Sequence, residues 1–118
     1  MKGQSFFRRL RFAVNGLYLA FCREHSFRAH AISCIGVLIV LLLTRPSIIW
    51  WALAFIAVGL VLVAELINTA IETFADHVHP ELHTEIKAVK DIAAAAVLVS
   101  SITAILVAIA FIYNYYQS

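Results

Sequence analysis

Ile48-Ile-Trp-Trp-Ala-Leu-Ala-Phe-Ile-Ala-Val-Gly-Leu-Val-Leu-Val-Ala-Glu65-Leu-Ile-Asn68-Thr-Ala-Ile-Glu72-Thr-Phe-Ala-Asp76 begins as hydrocarbon and ends acidic. A run without a charge from Ile48 to Ala64 is long enough, with its continuation, to cross a bilayer as a helix, for which about 20 residues suffice. Trp50 and Trp51 near its start read as an interfacial anchor. Placed on a helix, Glu65, Asn68, Glu72 and Asp76 fall within a sector of roughly 80°, while Leu66, Ile67, Ala70, Ile71 and Phe74 point elsewhere. Carboxylates at or near membrane depth are costly and usually mark a site. The one-sided strip therefore reads as the working face of this span.

The rest of the chain supports a membrane setting. Its 118 residues are 63% hydrophobic, and the mean hydropathy is +0.90. Soluble domains sit near 45–50% apolar, so roughly this much apolar surface could not be hidden in a water-soluble fold of this length. Two further apolar runs, Ala29–Thr44 and Ile92–Tyr113, complete three spans, at about residues 28–45, 48–72 and 91–114. Arg45-Pro46-Ser47 breaks the first from the second, with the proline placed to open the next helix. Tyr113, Tyr115 and Tyr116 form a second aromatic anchor. Ahead of the spans, Phe7, Leu10, Ala13 and Leu17 share a helical face that Arg8, Arg9 and Arg11 avoid. This predicts an amphipathic surface helix over about residues 4–25, made imperfect by Gly16. The fold class is thus all-α membrane protein, in a single domain over residues 1–118.

The formal charge of +2 hides a segregation. Lys2, Arg8, Arg9, Arg11, Arg23 and Arg28 precede residue 29, and six of the seven acids follow residue 64. The basic end suits anionic lipid headgroups. Nucleic acid is the poorer partner, because these residues lead straight into a span. The distribution of Lys and Arg predicts a cytoplasmic N-terminus, an outward Arg45 turn, a cytoplasmic 77–91 loop carrying Lys87 and Lys90, and an outer C-terminus. The basic interruptions at Arg8, Arg9 and Arg11 argue against a signal peptide. Cys22 and Cys34 have no metal or redox spacing and read as small apolar side chains.

Within the strip, depth separates the roles. Glu65 is the deeper and less hydrated, which suits a general base meeting a hydroxyl at membrane depth. Glu72 lies about 10 Å further along the axis and suits Mg²⁺ held together with phosphate oxygens. Asn68 stands between them as a neutral hydrogen-bonding group. The bland alternative for these residues is a polar contact between helices of an oligomer, or the wet end of the span. Lys90-Asp91, at the mouth of the third span, can meet a polyphosphate or share a cation, although membrane helices often start with charges. Glu24 and Arg28, four apart, read either as a surface ion pair or as the source of a second carboxylate for the metal. His77, His79 and His83 are better read as a polar loop than as zinc ligands. No glycine-rich phosphate loop is present in the sequence, so any nucleotide must be held by charge, metal and helix ends.

The E-x-x-N-x-x-x-E block of Glu65, Asn68 and Glu72, then Asp76, then Lys90-Asp91 before Ile-Ala-Ala-Ala-Ala-Val-Leu, closely resembles the small prokaryotic membrane diacylglycerol kinase family, which includes the undecaprenol kinases. The resemblance spans Phe12–Gly16, Glu24–His30, the three spans and the loop. It implies a homotrimer in the bacterial inner (cytoplasmic) membrane, with active sites shared between neighbouring subunits and Mg-ATP arriving from the cytoplasm. It implies Glu65 as catalytic base and Glu24 with Glu72 as Mg²⁺ ligands. Phe12, Glu24, Glu72, Glu81, His83, Lys90 and Asp91 would contact the nucleotide. Ser26, Phe27, Arg28, His30, Glu65, Asn68 and Ala94 would meet the lipid. Some members carry an arginine near position 5, where this chain has Ser5, with Arg8 or Arg9 nearest to substitute. Glu24-His25-Ser26-Phe27-Arg28-Ala29-His30 is closer to the undecaprenol kinase form, with His30 replacing an acid of the diacylglycerol kinase form.

The expected reaction is transfer of the γ-phosphate of ATP to the primary hydroxyl of diacylglycerol, giving phosphatidic acid, with undecaprenol as the alternative acceptor. Rival readings from other classes are a small proton-coupled transporter, which also uses an intramembrane Glu, and an assembly subunit without chemistry. The transporter would leave Lys90-Asp91 without a role.

Overall fold

The computed structural model describes residue 3, residues 5–81 and residues 83–118. Four helices follow in order: α1 Phe6–Arg23, α2 His25–Thr44, α3 Ile48–Val78 and α4 Thr84–Gln117. No strand occurs among the described residues. α2, α3 and α4 are each long and apolar enough to cross a membrane, with mean hydropathies of 2.0, 2.3 and 2.7. The chain is a multi-pass membrane protein with a shorter N-terminal helix.

α1 starts where the Ser5 hydroxyl accepts the Arg8 N–H at 3.3 Å, satisfying one of the donors that a helix start leaves open. The expected start at Gln4, like the charge at Lys2, lies outside the described residues. The helix runs through Gly16 without a break. It stops because Glu24 turns to extended backbone (φ −112°, ψ 115°), and α2 begins at the next residue. That abrupt break leaves the last carbonyls of α1 without helical partners. Arg28, one turn into α2, meets them: its Nη1 donates to the Phe21 carbonyl at 2.9 Å and to the Cys22 carbonyl at 3.0 Å. Glu24 and Arg28 form no ion pair. Phe27 is buried, at 5% exposure, near the same break.

α2 ends on Arg45 in the left-handed region (φ 48°, ψ 55°), with its N–H returned to the Leu41 carbonyl. Pro46 follows and supplies no donor with which to continue. Here the sequence expectation needs correction: Pro46 does not open the next helix. Ser47, in extended backbone, is the N-cap and α3 opens at Ile48, so the proline sits one residue outside. α3 then runs for 31 residues and α4 for 34, about 46 and 51 Å at 1.5 Å per residue. Both overrun a hydrocarbon core of about 30 Å.

α3 and α4 form an antiparallel hairpin joined by residues 79–83, and this is the most extensive helix contact in the chain. Small buried residues mark both partners: Ala57, Val61, Ala64 and Ala75 on α3, Ala93 and Ser100 on α4. Small side chains allow the close backbone approach by which membrane helices pack. At the far end Trp50 meets Phe111 edge to face at 5.5 Å. At the near end Lys90 binds Asp76. Hydroxyls inside the spans are satisfied locally: Ser33, Thr44, Ser100 and Thr103 each donate to the carbonyl four residues back. Large apolar side chains such as Ile48, at 82%, stay exposed, as they do on a surface that meets lipid or other membrane helices.

Removing the Arg28 guanidinium strands the carbonyls that end α1. Arg28→Ala should cost about 1–2 kcal/mol of stability. It should also raise amide hydrogen exchange in and around the α1–α2 break, residues 21–28, relative to the middle of α3.

Candidate active site

The acidic strip of α3 faces two different helices. Glu65 is 4% exposed, and its Oε1 lies 2.9 Å from Nδ1 of His30 on α2. That approach is close, but it lacks the alignment of a ring N–H hydrogen bond, and His30 Nδ1 is otherwise buried and unpartnered. One turn toward the polar end, Asn68 offers its amide N–H to Glu72 Oε1 at a long 3.5 Å. Its carbonyl oxygen, Oδ1, is buried without a partner. At the polar end Asp76 accepts from Lys90 of α4. The strip thus runs from a buried carboxylate against an imidazole, past an open amide oxygen, to an exposed ion pair. Exposure thus rises along the strip from Glu65 to Asp76.

The polar stretch after α3 is more helical than the expected 77–91 loop. His77 and Val78 still belong to α3, and α4 begins at Thr84. The reason is local: His83 caps the helix by accepting the Glu85 N–H at 3.1 Å. Glu85 places an acid in the first turn, and Lys87 bonds Asp91 at 2.6 Å one turn on. Lys90 and Asp91 therefore lie within α4, not in a loop. The Lys90–Asp76 pair is a contact that sequence reasoning did not pair up; complementary charges on neighbouring spans were the available signal.

The other predicted site residues lie on α1, on α2, at the α3–α4 connection and on α4. Ser26 and Ala94 are exposed, Arg28 is half-buried and engaged with α1, and Phe27 is a packing residue. Phe12 is exposed on α1, and Glu81 and His83 are exposed beside the α3–α4 connection. His79 and His83 lie edge to face at 5.5 Å, with His79 Nδ1 against the Glu81 carbonyl. His83 spends its Nδ1 on the cap.

Among the described residues no three His, Cys, Asp or Glu side chains gather as a complete metal shell. The donors present nevertheless suit Mg²⁺. Glu24 and Glu72 are half-buried carboxylates without a cationic partner, and Asn68 Oδ1 is open beside Glu72. A hard ion of this kind takes oxygen ligands and is commonly held by one or two carboxylates plus substrate phosphates.

The profile of the prokaryotic diacylglycerol kinase family matches residues 11–112. The chain belongs to this family. It is similar to an undecaprenol kinase of Bacillus subtilis (strain 168), 37% identical over 97 residues, which is 82% of this chain and 79% of that protein. It is also similar to a diacylglycerol kinase of Synechocystis, 35% identical over 98 residues, covering 82% of this chain and 56% of the relative. A diacylglycerol kinase of Escherichia coli (strain K12) is 28% identical over 95 residues, covering 80% and 78%. The chain is thus a lipid kinase by family, and every residue of the strip lies inside the matched segment.

In this kinase the Asp76–Lys90 bridge closes the polar end of the hairpin, but Asp76 is 63% exposed, so solvent screens it. A double-mutant cycle of Asp76→Asn and Lys90→Met, read from unfolding in detergent micelles, should give a coupling of about 0.2–1 kcal/mol. A coupling several-fold larger would make the bridge a principal clamp of the hairpin.

Proposed function

We propose that this chain transfers the γ-phosphate of ATP to the primary hydroxyl of diacylglycerol, giving phosphatidic acid and ADP. The observation that carries the reading is Glu65: a carboxylate buried in an apolar span with no cation but a histidine beside it. Burial of that kind at a helix–helix junction serves no packing purpose and exacts a cost of about 3 kcal/mol for a charged residue at mid-membrane on insertion scales. It does suit a base that must meet a lipid hydroxyl below the headgroups.

Glu65 takes the hydroxyl proton as the lipid oxygen attacks the γ-phosphorus, and the bond to the β-phosphate oxygen breaks to release ADP. Asn68 Oδ1, open and one turn away, is placed to orient the acceptor. Glu24 and Glu72 would hold Mg²⁺, which neutralises charge on the phosphate oxygens when bound. Lys90, held by Asp76 in the chain alone, steadies the polyphosphate. Phe12, Glu81, His83 and Asp91 complete the nucleotide side, and Ser26, Phe27 and Arg28 with Ala94 the lipid side. Catalysis is then positioning plus electrostatics, without a covalent enzyme intermediate. This reading includes a homotrimer in which a neighbouring copy completes each site. The basic N-terminal segment, Lys87 and Lys90 support a cytoplasmic-membrane protein with its N-terminus and nucleotide side inside.

Undecaprenol is the second reading for the acceptor, favoured by the similarity to the Bacillus subtilis undecaprenol kinase. Family membership supports the kinase over the proton-coupled transporter. Purified protein in lipid vesicles with Mg-ATP, offered diacylglycerol or undecaprenol, should phosphorylate diacylglycerol with the higher kcat/KM. Preference for undecaprenol would select the second reading, and transfer to neither would sink both. Glu65→Gln should lower kcat by about 10²–10⁴-fold, the usual range for a general base, with ATP binding and unfolding midpoint little changed. Near-normal turnover in that variant would remove Glu65 from the role of base.

A further inference from the structure

We infer that His30 is the positioning residue of Glu65: its imidazole, reaching across from α2, holds the carboxyl group in the rotamer that meets the acceptor hydroxyl. This rests on the reading of Glu65 as the base. The accounting of polar groups around Glu65 leaves few candidates. Asn68 directs its N–H toward Glu72. Ser33 donates to the Ala29 carbonyl, and Cys34 directs its thiol to the His30 carbonyl. Among the described residues, His30 alone forms an ion-pair-range contact with Glu65, at 2.9 Å.

The surroundings make that contact count. A cavity of about 140 Å³ beside His30 is lined by Ser33, Cys34, Val37, Val58, Val61 and Leu62 among others, almost all apolar. In such a medium polar side chains without partners are costly, so a close contact between two of them is held in place. The imidazole nitrogen reaches from a neighbouring helix to within 2.9 Å of Oε1 and so selects one rotamer of Glu65. Nδ1 has no competing partner to release.

The test uses the full-length protein in vesicles with Mg-ATP and the better of the two lipid acceptors. Wild type must turn over and Glu65→Gln must not, or the reading of Glu65 has failed and His30 falls with it. Given that, His30→Ala should lower kcat by about 10–100-fold, the scale at which residues that orient a working group act, with KM for ATP and lipid changing far less. Imidazole added to the buffer should restore part of the kcat of His30→Ala. His30→Asn, which keeps an N–H near the Nδ1 position, should retain more activity than His30→Phe, which keeps a ring without a donor. This pair decides the matter even if the alanine variant does not fold. The inference is overturned if His30→Phe turns over like wild type, if Asn and Phe lose kcat equally and imidazole rescues nothing, or if the loss lies wholly in the lipid KM, which would make His30 a substrate contact.

Discussion

A carboxylate placed in hydrocarbon sets the terms for everything around it. Glu65 cannot be left to lipid, so another helix must bring a polar group to its depth, and α2 does so with His30. That demand fixes where α2 lies against α3. The chain also turns abruptly at Glu24, and His30 lies in the second turn of the helix that follows. The abrupt turn then creates its own orphan carbonyls, and Arg28 answers them.

The polar end obeys a different rule. There water is near, charge is cheap, and the structure uses it freely: Lys87 with Asp91, Lys90 with Asp76, and a histidine cap on α4. The same strip of α3 therefore joins a low-dielectric end suited to proton transfer and a hydrated end suited to polyphosphate.

Much of this was legible in the sequence. Hydropathy locates the three spans, and helical periodicity turns Glu65, Asn68, Glu72 and Asp76 into one face. Partners were harder to read, because periodicity says which residues share a face and not which helix that face meets. His30 and Lys90 became partners of the strip only when α2 and α4 were packed on it. Glu24 and Arg28 show the opposite failure: their spacing of four promises a helical ion pair, but Glu24 sits in extended backbone between two helices, so the helical geometry does not exist there. The start of α4 was obscured by composition. Residues 84–91 look like loop by polarity, yet the cap at His83 and the Lys87–Asp91 pair are short-range signals that make them helical.

The unequal lengths of the spanning helices have a mechanical consequence. α2, with 20 residues, is about as long as the hydrocarbon layer is thick, whereas α3 and α4 carry spare turns beyond it. A membrane that thickens or thins by a few ångströms is met by the long hairpin simply by sliding its polar turns in or out. α2 has no such reserve and must tilt or draw in its flanks. His30 travels with α2 and Glu65 with α3, so the thickness of the host bilayer bears directly on the distance between them.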